Sequence, residues 1–141
     1  MILTSFYTRV IAADPEVRQV FTEMVPPLTH GDPRNCFENA RREFLTHKSL
    51  DRQYWVGWLT AEFDDPWVKN IPRRNIQTRN HHAWVTEGTK VYDSTPFKYG
   101  FGNFSDLPSK LPHELFDSAK YEGLYTVGEE ALHNPLKYFP R

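Results

Sequence analysis

The stretch that decides the fold is His82-Ala83-Trp84-Val85-Thr86-Glu87-Gly88-Thr89-Lys90-Val91-Tyr92-Asp93. Runs rich in β-branched and aromatic residues flank Glu87-Gly88, the signature of a β-hairpin. With Glu87-Gly88 as the loop, Thr86 pairs with Thr89, Trp84 faces Val91 and His82 faces Asp93. A four-residue loop, Thr86 to Thr89, keeps these partners, and a three-residue loop breaks them. Side chains alternate along a strand, so the pairs share one face, with opposed Cβ atoms about 5 Å apart. A carboxylate so placed fixes the tautomer of an imidazole and steadies the imidazolium. The plainer reading is an ion pair on the surface of a hairpin. His81 points to the opposite face, towards Ser94, and reads as structural or exposed.

Upstream, residues 53–63 (Gln-Tyr-Trp-Val-Gly-Trp-Leu-Thr-Ala-Glu-Phe) form another strand, and residues 64–76, with charges and two prolines, a loop. A helix is expected from Asn35 to His47. Its apolar face holds Phe37, Ala40, Phe44 and Leu45, and its wet face Glu38, Arg41, Arg42 and Lys48. Either Asp32 or Asn35 caps it, and both choices put Cys36 in the first turn. Residues 26–35 are a turn-rich loop. Val17, Val20, Phe21 and Met24 recur at helical spacing behind Asp14-Pro15, predicting an earlier helix that Pro26-Pro27 stops. Residues 1–12 suit a strand or a short helix. From Pro96 onward the chain reads as mostly irregular, with one short helix near Glu129–His133. Helices followed by strands argue for an α+β fold on an antiparallel sheet, in one domain spanning residues 1–141.

The chain has 141 residues, enough to bury a core without disulfides or metal, and 15% of them are aromatic. Seventeen basic and 18 acidic residues leave a formal charge of −1, so no charge excess draws the chain to nucleic acid or anionic membrane. The one basic cluster, Lys69, Arg73, Arg74 and Arg79, reads as a solvated loop. No run approaches the ~20 apolar residues of a membrane span. The first residues lack the pattern of a secretory signal. With a single, reduced Cys this makes the cytoplasm the expected location.

That Cys is the second chemical feature. A thiol in the first turn of a helix sits at the positive end of the helix dipole, which favours the thiolate. Its own backbone N–H becomes a donor for an oxyanion. Lone cysteines are also commonly small buried hydrophobes, which is the competing reading.

Taken together, Asn35-Cys36-Phe37-Glu38-Asn39-Ala40, His82-Ala83-Trp84-Val85 and Val91-Tyr92-Asp93-Ser94-Thr95-Pro96 resemble the transglutaminase-like branch of the papain-like cysteine hydrolases, including small phage and bacterial members. Tyr54-Trp55-Val56-Gly57-Trp58 lies where such proteins often carry an aromatic strand with a Gly. The resemblance covers roughly residues 33–103 and implies a papain-like fold, with the nucleophile helix packed on an antiparallel sheet. It implies a catalytic triad with Cys36 as nucleophile, His82 as general base and acid, and Asp93 as the orienting group. The chemistry implied is cysteine-protease-like or transglutaminase-type: attack on a protein or peptide carboxamide, a thioester, then release to water or an amine, with no cofactor and no metal. Two positions depart from the pattern. Ser94 stands where Pro is common, and His30 stands six residues before the Cys, where a Gln oxyanion donor is usual. The second oxyanion donor is then a backbone N–H or Asn35.

Two rival readings use the same residues. One is a catalytically inactive papain-like fold that binds a partner protein through Trp55, Trp58, Trp67, Phe101 and Phe104. The other is a metal site from Cys36, His81, His82 and Asp93. Adjacent His on a strand point apart, and no ligand-pair spacing is present, which argues against it.

Overall fold

The computed structural model describes residues 16–64, 75–98 and 109–133. In chain order the elements are β1 (Gln19–Phe21), β2 (Glu23–Val25), α1 (Cys36–Thr46), β3 (Arg52–Asp64), β4 (Asn75–Glu87), β5 (Lys90–Tyr92), β6 (Phe97–Lys98), β7 (Ser109–Lys110), α2 (Pro112–Leu115), β8 (Ser118–Val127) and α3 (Glu129–His133). The fold is mixed α+β, mostly strand. Six strands form one sheet in the order β1-β8-β3-β4-β5-β2, and β6 pairs with β7 separately. Neighbours pair antiparallel except β2 and β5, which are parallel.

The segment expected to be an N-terminal helix is two short strands. Only Thr22 separates β1 from β2, yet β1 pairs with β8 at one end of the sheet and β2 with β5 at the other. One short segment thus ties both ends together and curls the sheet until it nearly closes. The helical spacing misleads because, of its four apolar positions, only Phe21 enters the core. Val17 and Val20 are exposed, and Met24 is half-buried. Residues 1–15, which hold the rest of that predicted region with Asp14 and Pro15, lie outside the described residues.

Strands β3 and β4 run antiparallel over thirteen residue pairs and form the backbone of the sheet. The inward face carries Trp55, Leu59, Ala61, Trp84, Val91 and Tyr121, which pack with Phe21, Phe63, Phe116 and Ala119. The outward face carries Tyr54, Val56, Ala83, Val85 and Val127, covered by Phe37 and Ala40 of α1 and Leu132 of α3. Gly57 lies at a register shift in the β3–β8 ladder, where a Cβ would run into the Glu122 carbonyl. The close approach of the two backbones therefore requires glycine.

The largest departure from expectation is β8. Its ten residues (Ser-Ala-Lys-Tyr-Glu-Gly-Leu-Tyr-Thr-Val) form an interior strand between β1 and β3, in a region expected to be irregular. The alternating burial of Ala119, Tyr121 and Gly123 is the ordinary strand signal. Surrounding Gly and Pro residues hide it. The helix over Glu129–His133 is present as expected. Among the described residues no helix is long and apolar enough to cross a membrane. Most of residues 64–76 fall outside the described residues, as do Lys69, Arg73 and Arg74; Arg79 lies on β4 with its guanidinium 4.0 Å from the Trp58 ring centroid.

Candidate functional site

The hairpin that carries His82 and Asp93 closes one residue later than expected, which shifts the cross-strand pairing by two. Glu87 pairs with Lys90, Thr86 with Val91 and Val85 with Tyr92, so Gly88-Thr89 is the loop. Gly88 has φ 62°, and Thr89 does not share the positive value, the combination of a type II′ hairpin turn with Gly in first place. Glu-Gly misleads because the residue needing positive φ is the first of the loop, not the second. A shift of two preserves the side-chain faces. His82 and Asp93 thus remain on one face, as diagonal neighbours rather than direct opposites. β5 also ends at Tyr92, so Asp93 begins the segment after the strand.

The two side chains nevertheless meet. His82 Nε2 lies 2.8 Å from Asp93 Oδ2, with both side chains 3% exposed. The rest of the carboxylate is occupied too. Asp93 Oδ1 accepts the Thr95 N–H at 3.1 Å, and Oδ2 also accepts the Tyr121 hydroxyl at 2.7 Å. The His82 ring sits among Trp84, Phe97 and Tyr121, with centroids 5.5–6.3 Å away.

Cys36 is the first residue of α1 and is half-buried. It borders the same cleft as His82 and is among the groups that raise the His82 pKa. Nε2 is committed to Asp93, which leaves Nδ1 as the nitrogen for the thiol. Asn35 occupies the N-cap position but makes no side-chain capping bond, and Asp32 is not the cap. The Cys36 N–H, at the first helical position, has no acceptor within the helix.

What brings α1 to Asp93 is a set of bonds centred on Asn39, one turn after the Cys. Asn39 Nδ2 donates to Thr95 Oγ1 at 3.0 Å and to the Asp32 carbonyl at 2.7 Å. Ser94 Oγ donates to the Asn39 carbonyl at 3.1 Å, and the Gly31 N–H donates to the Ser94 carbonyl at 2.8 Å. The helix start, the loop before it and the segment after β5 are thereby stitched into one unit. Sequence reasoning missed Asn39 and Tyr121. The signal for Asn39 was its place between Phe37 and Ala40 on the buried side of the helix. Tyr121 went unseen because β8 did.

A cleft of about 680 Å³ opens over this unit, lined by Arg34, Cys36, Asn80, His82, Thr95 and Phe97 among others. Arg34, two residues before the thiol, holds φ 64°, the left-handed region that a side chain of this size seldom adopts. His81 and His82 lie on opposite faces as strand alternation requires. His81 is exposed, its ring 4.1 Å from that of Trp58. It still reaches the rim of the cleft. His30 bonds the Gly31 carbonyl and borders a separate, smaller hollow with Arg42 and Thr46, away from Cys36. Asn35 is not among the residues lining the cleft. Of the aromatic residues considered for a surface patch, Trp55 is core, at 3% exposure. Trp67, Phe101 and Phe104 lie outside the described residues.

Burial alone would lower the His82 pKa. The Asp93 carboxylate, by charge and hydrogen bond, and the Cys36 side chain outweigh burial and push it up to about 10. Burial and the adjacent Arg79 lower the pKa of His81. For His82 the folded value exceeds the ordinary 6.5, so its proton contributes stability that is fully present below pH 6.5. That contribution is lost as pH rises through about 10. The melting temperature should therefore fall between these limits. The loss should be on the order of a few kcal/mol, and His82→Gln should flatten that part of the profile. Thermal melts across this range check it; an equally steep fall in the variant would assign the effect to other groups.

No protein-family model, no curated protein and no solved structure matches this chain.

Proposed function

We propose that the protein is a cysteine-dependent amide hydrolase or acyltransferase of the transglutaminase-like, papain-like kind, acting on a protein or peptide. The observation that carries this is the placing of the chain's one thiol, at the head of a helix, in the same cleft as a buried imidazole whose Nε2 is held by a buried carboxylate.

In this reading the Cys36 thiolate attacks a carboxamide carbon, and the C–S bond forms as the carbonyl π-electrons move to oxygen. The Cys36 N–H and the helix dipole stabilise that oxyanion. The His82 imidazolium, facing the thiol through Nδ1, gives its proton to the leaving nitrogen as the C–N bond breaks. The products of this step are an amine and a thioester on Cys36. His82, now neutral, takes a proton from water, the hydroxide oxygen adds to the thioester, and the carboxylic acid leaves with the thiolate restored. An amine in place of water gives a new amide by the same steps. Hydrolysis is the preferred outcome, because a cleft this open does little to keep water from the thioester. Asp93 keeps the imidazole in the tautomer that faces the thiol.

The test is alkylation by iodoacetamide, read by intact mass. Wild-type Cys36 should react about tenfold or more faster at pH 7 than the same residue in His82→Ala. With a peptide carboxamide substrate, rapid quenching should trap an acyl adduct on Cys36. Equal alkylation rates in the two proteins, with no adduct, would remove the enzyme reading.

A further inference from the structure

We propose that Tyr121 is a positioning residue for this site, acting through Asp93 to set how tightly His82 holds its proton. The proposal draws its catalytic consequence from the function proposed above, but the coupling itself is independent of turnover.

Tyr121 stands on the inward face of β8, opposite Leu59 of β3 and Phe21 of β1, and is 0% exposed. A phenol buried this deeply needs a partner for its hydroxyl. The partner is Asp93 Oδ2, at 2.7 Å. That is the same oxygen that His82 Nε2 approaches at 2.8 Å. Burial and the carboxylate both raise the Tyr121 pKa well above its usual range, so the hydroxyl is a donor throughout the working pH range.

Two donors on one carboxylate oxygen divide its charge between them. A fully shared Oδ2 holds the imidazole in line yet pulls less strongly on its proton than an unshared one would. Thr95 fixes the other oxygen, so the carboxylate cannot rotate to give each donor its own. The titratable groups facing His82 come from three elements. They are Cys36 from α1, Asp93 from the segment after β5 and Tyr121 from β8. Arg34 and His81 border the same cleft. Tyr121 is the one among them that can tune the carboxylate without adding charge.

The test uses the full chain with ¹⁵N-labelled histidine, following the His82 ring resonances by NMR. Tyr121→Phe removes one oxygen and should move the His82 titration upward by about one pH unit. A 3-fluorotyrosine placed at position 121 keeps the ring and strengthens the donor, and should move it downward. In an Asp93→Asn background neither change should have an effect. In turnover, Tyr121→Phe should lower kcat about tenfold with KM unchanged. A His82 titration that ignores both variants, or that shifts equally with and without Asp93, overturns the proposal. If His82 stays put while wild-type turnover still depends on Cys36, the coupling fails and the hydrolase reading stands. If His82 moves as described while no substrate acylates Cys36, the coupling stands and the hydrolase reading fails.

Discussion

Cys36→Ala should abolish turnover, a loss on the order of 10⁴-fold or more, because the chain has no second thiol to take its place. His82→Ala should come close to the same loss, since the thiolate loses its counter-ion and the leaving group its proton donor. The two losses should not add in the double variant, because the residues act as one unit. Asp93→Ala should be milder in kcat, as the carboxylate orients rather than reacts. Asp93→Asn should do more harm, since an amide N–H directed at Nε2 favours the tautomer with its proton towards the thiol. His81→Ala should change little, because its side chain leaves the opposite face of β4. Stability separates the variants further. Cys36 is half-buried and its truncation should barely move the melting temperature. Removing the Asp93 carboxylate strands a buried imidazolium and the Tyr121 hydroxyl, and should cost about 3–5 kcal/mol. Steady-state kinetics and thermal melts on the same preparations check both sets. If His81→Ala is inactive and His82→Ala active, the assignment fails by one residue and one sheet face.

Glu43→Ala should cause the largest loss of stability of any single change away from the site. Glu43 lies on α1 with its side chain fully buried, and its Oε2 is 2.8 Å from Arg52 NH2, a guanidinium 1% exposed. The same carboxylate accepts the Leu28 N–H at 3.1 Å, the Thr29 N–H at 2.8 Å and the Thr29 hydroxyl at 2.7 Å. Arg52 is otherwise held by the carbonyls of Glu43 and His47, and its guanidinium lies over the Tyr92 ring. Deleting the carboxylate leaves a buried cation and two backbone donors without acceptors. The expected cost is about 3–5 kcal/mol, on the order of 10 °C in Tm for a chain of this size. A buried ion pair can often be replaced by two apolar residues at no cost. Here that exchange should fail. In Glu43→Met/Arg52→Leu the Leu28 and Thr29 donors would still be orphaned. Chemical denaturation of the single and double variants decides between the two roles of Glu43. Full recovery in the double variant would mean that Glu43 serves Arg52 alone and does not anchor the loop.

Much of the site was written in local chemistry. Cys36 at the start of α1 follows from an amphipathic run that begins after a Pro-rich turn, and helix boundaries of that kind depend on neighbours in sequence. The shared face of His82 and Asp93 follows from strand alternation alone, and so survives the two-residue shift in pairing. The separation of His81 from His82 rests on the same rule. The strand at 53–63 and the one that carries His82 were legible for the same reason, since β-branched and aromatic residues run through both.

What the tertiary structure alone decided involves partners distant in sequence. Val17, Val20, Phe21 and Met24 fit a helix as well as strands, and the choice was made by the edges of β8 and β5 at Gly123 and Val91, which only the curled sheet presents to residues 19–25.

 The sequence separations are 104 positions for Gln19 and Gly123 and 67 for Met24 and Val91. No window of neighbouring residues carries contacts of that range. The parallel pairing of β2 with β5 is undetermined locally for the same reason.

Asn39, Glu43 and Tyr121 make the point at the level of side chains. A polar residue on a helix or strand reads as solvent-facing until its partners are known, because burying it is costly without them. Each of the three is buried only because acceptors or donors arrive from elsewhere in the chain: Thr95 for Asn39, Arg52 and the loop at Leu28 for Glu43, and Asp93 for Tyr121. The sequence by itself thus determined which residues are chemically able to react and on which face of their own element they stand. The tertiary structure decided which of them meet and what holds them there, because hydrogen bonds between distant segments exist only once the sheet has curled and α1 has docked on it.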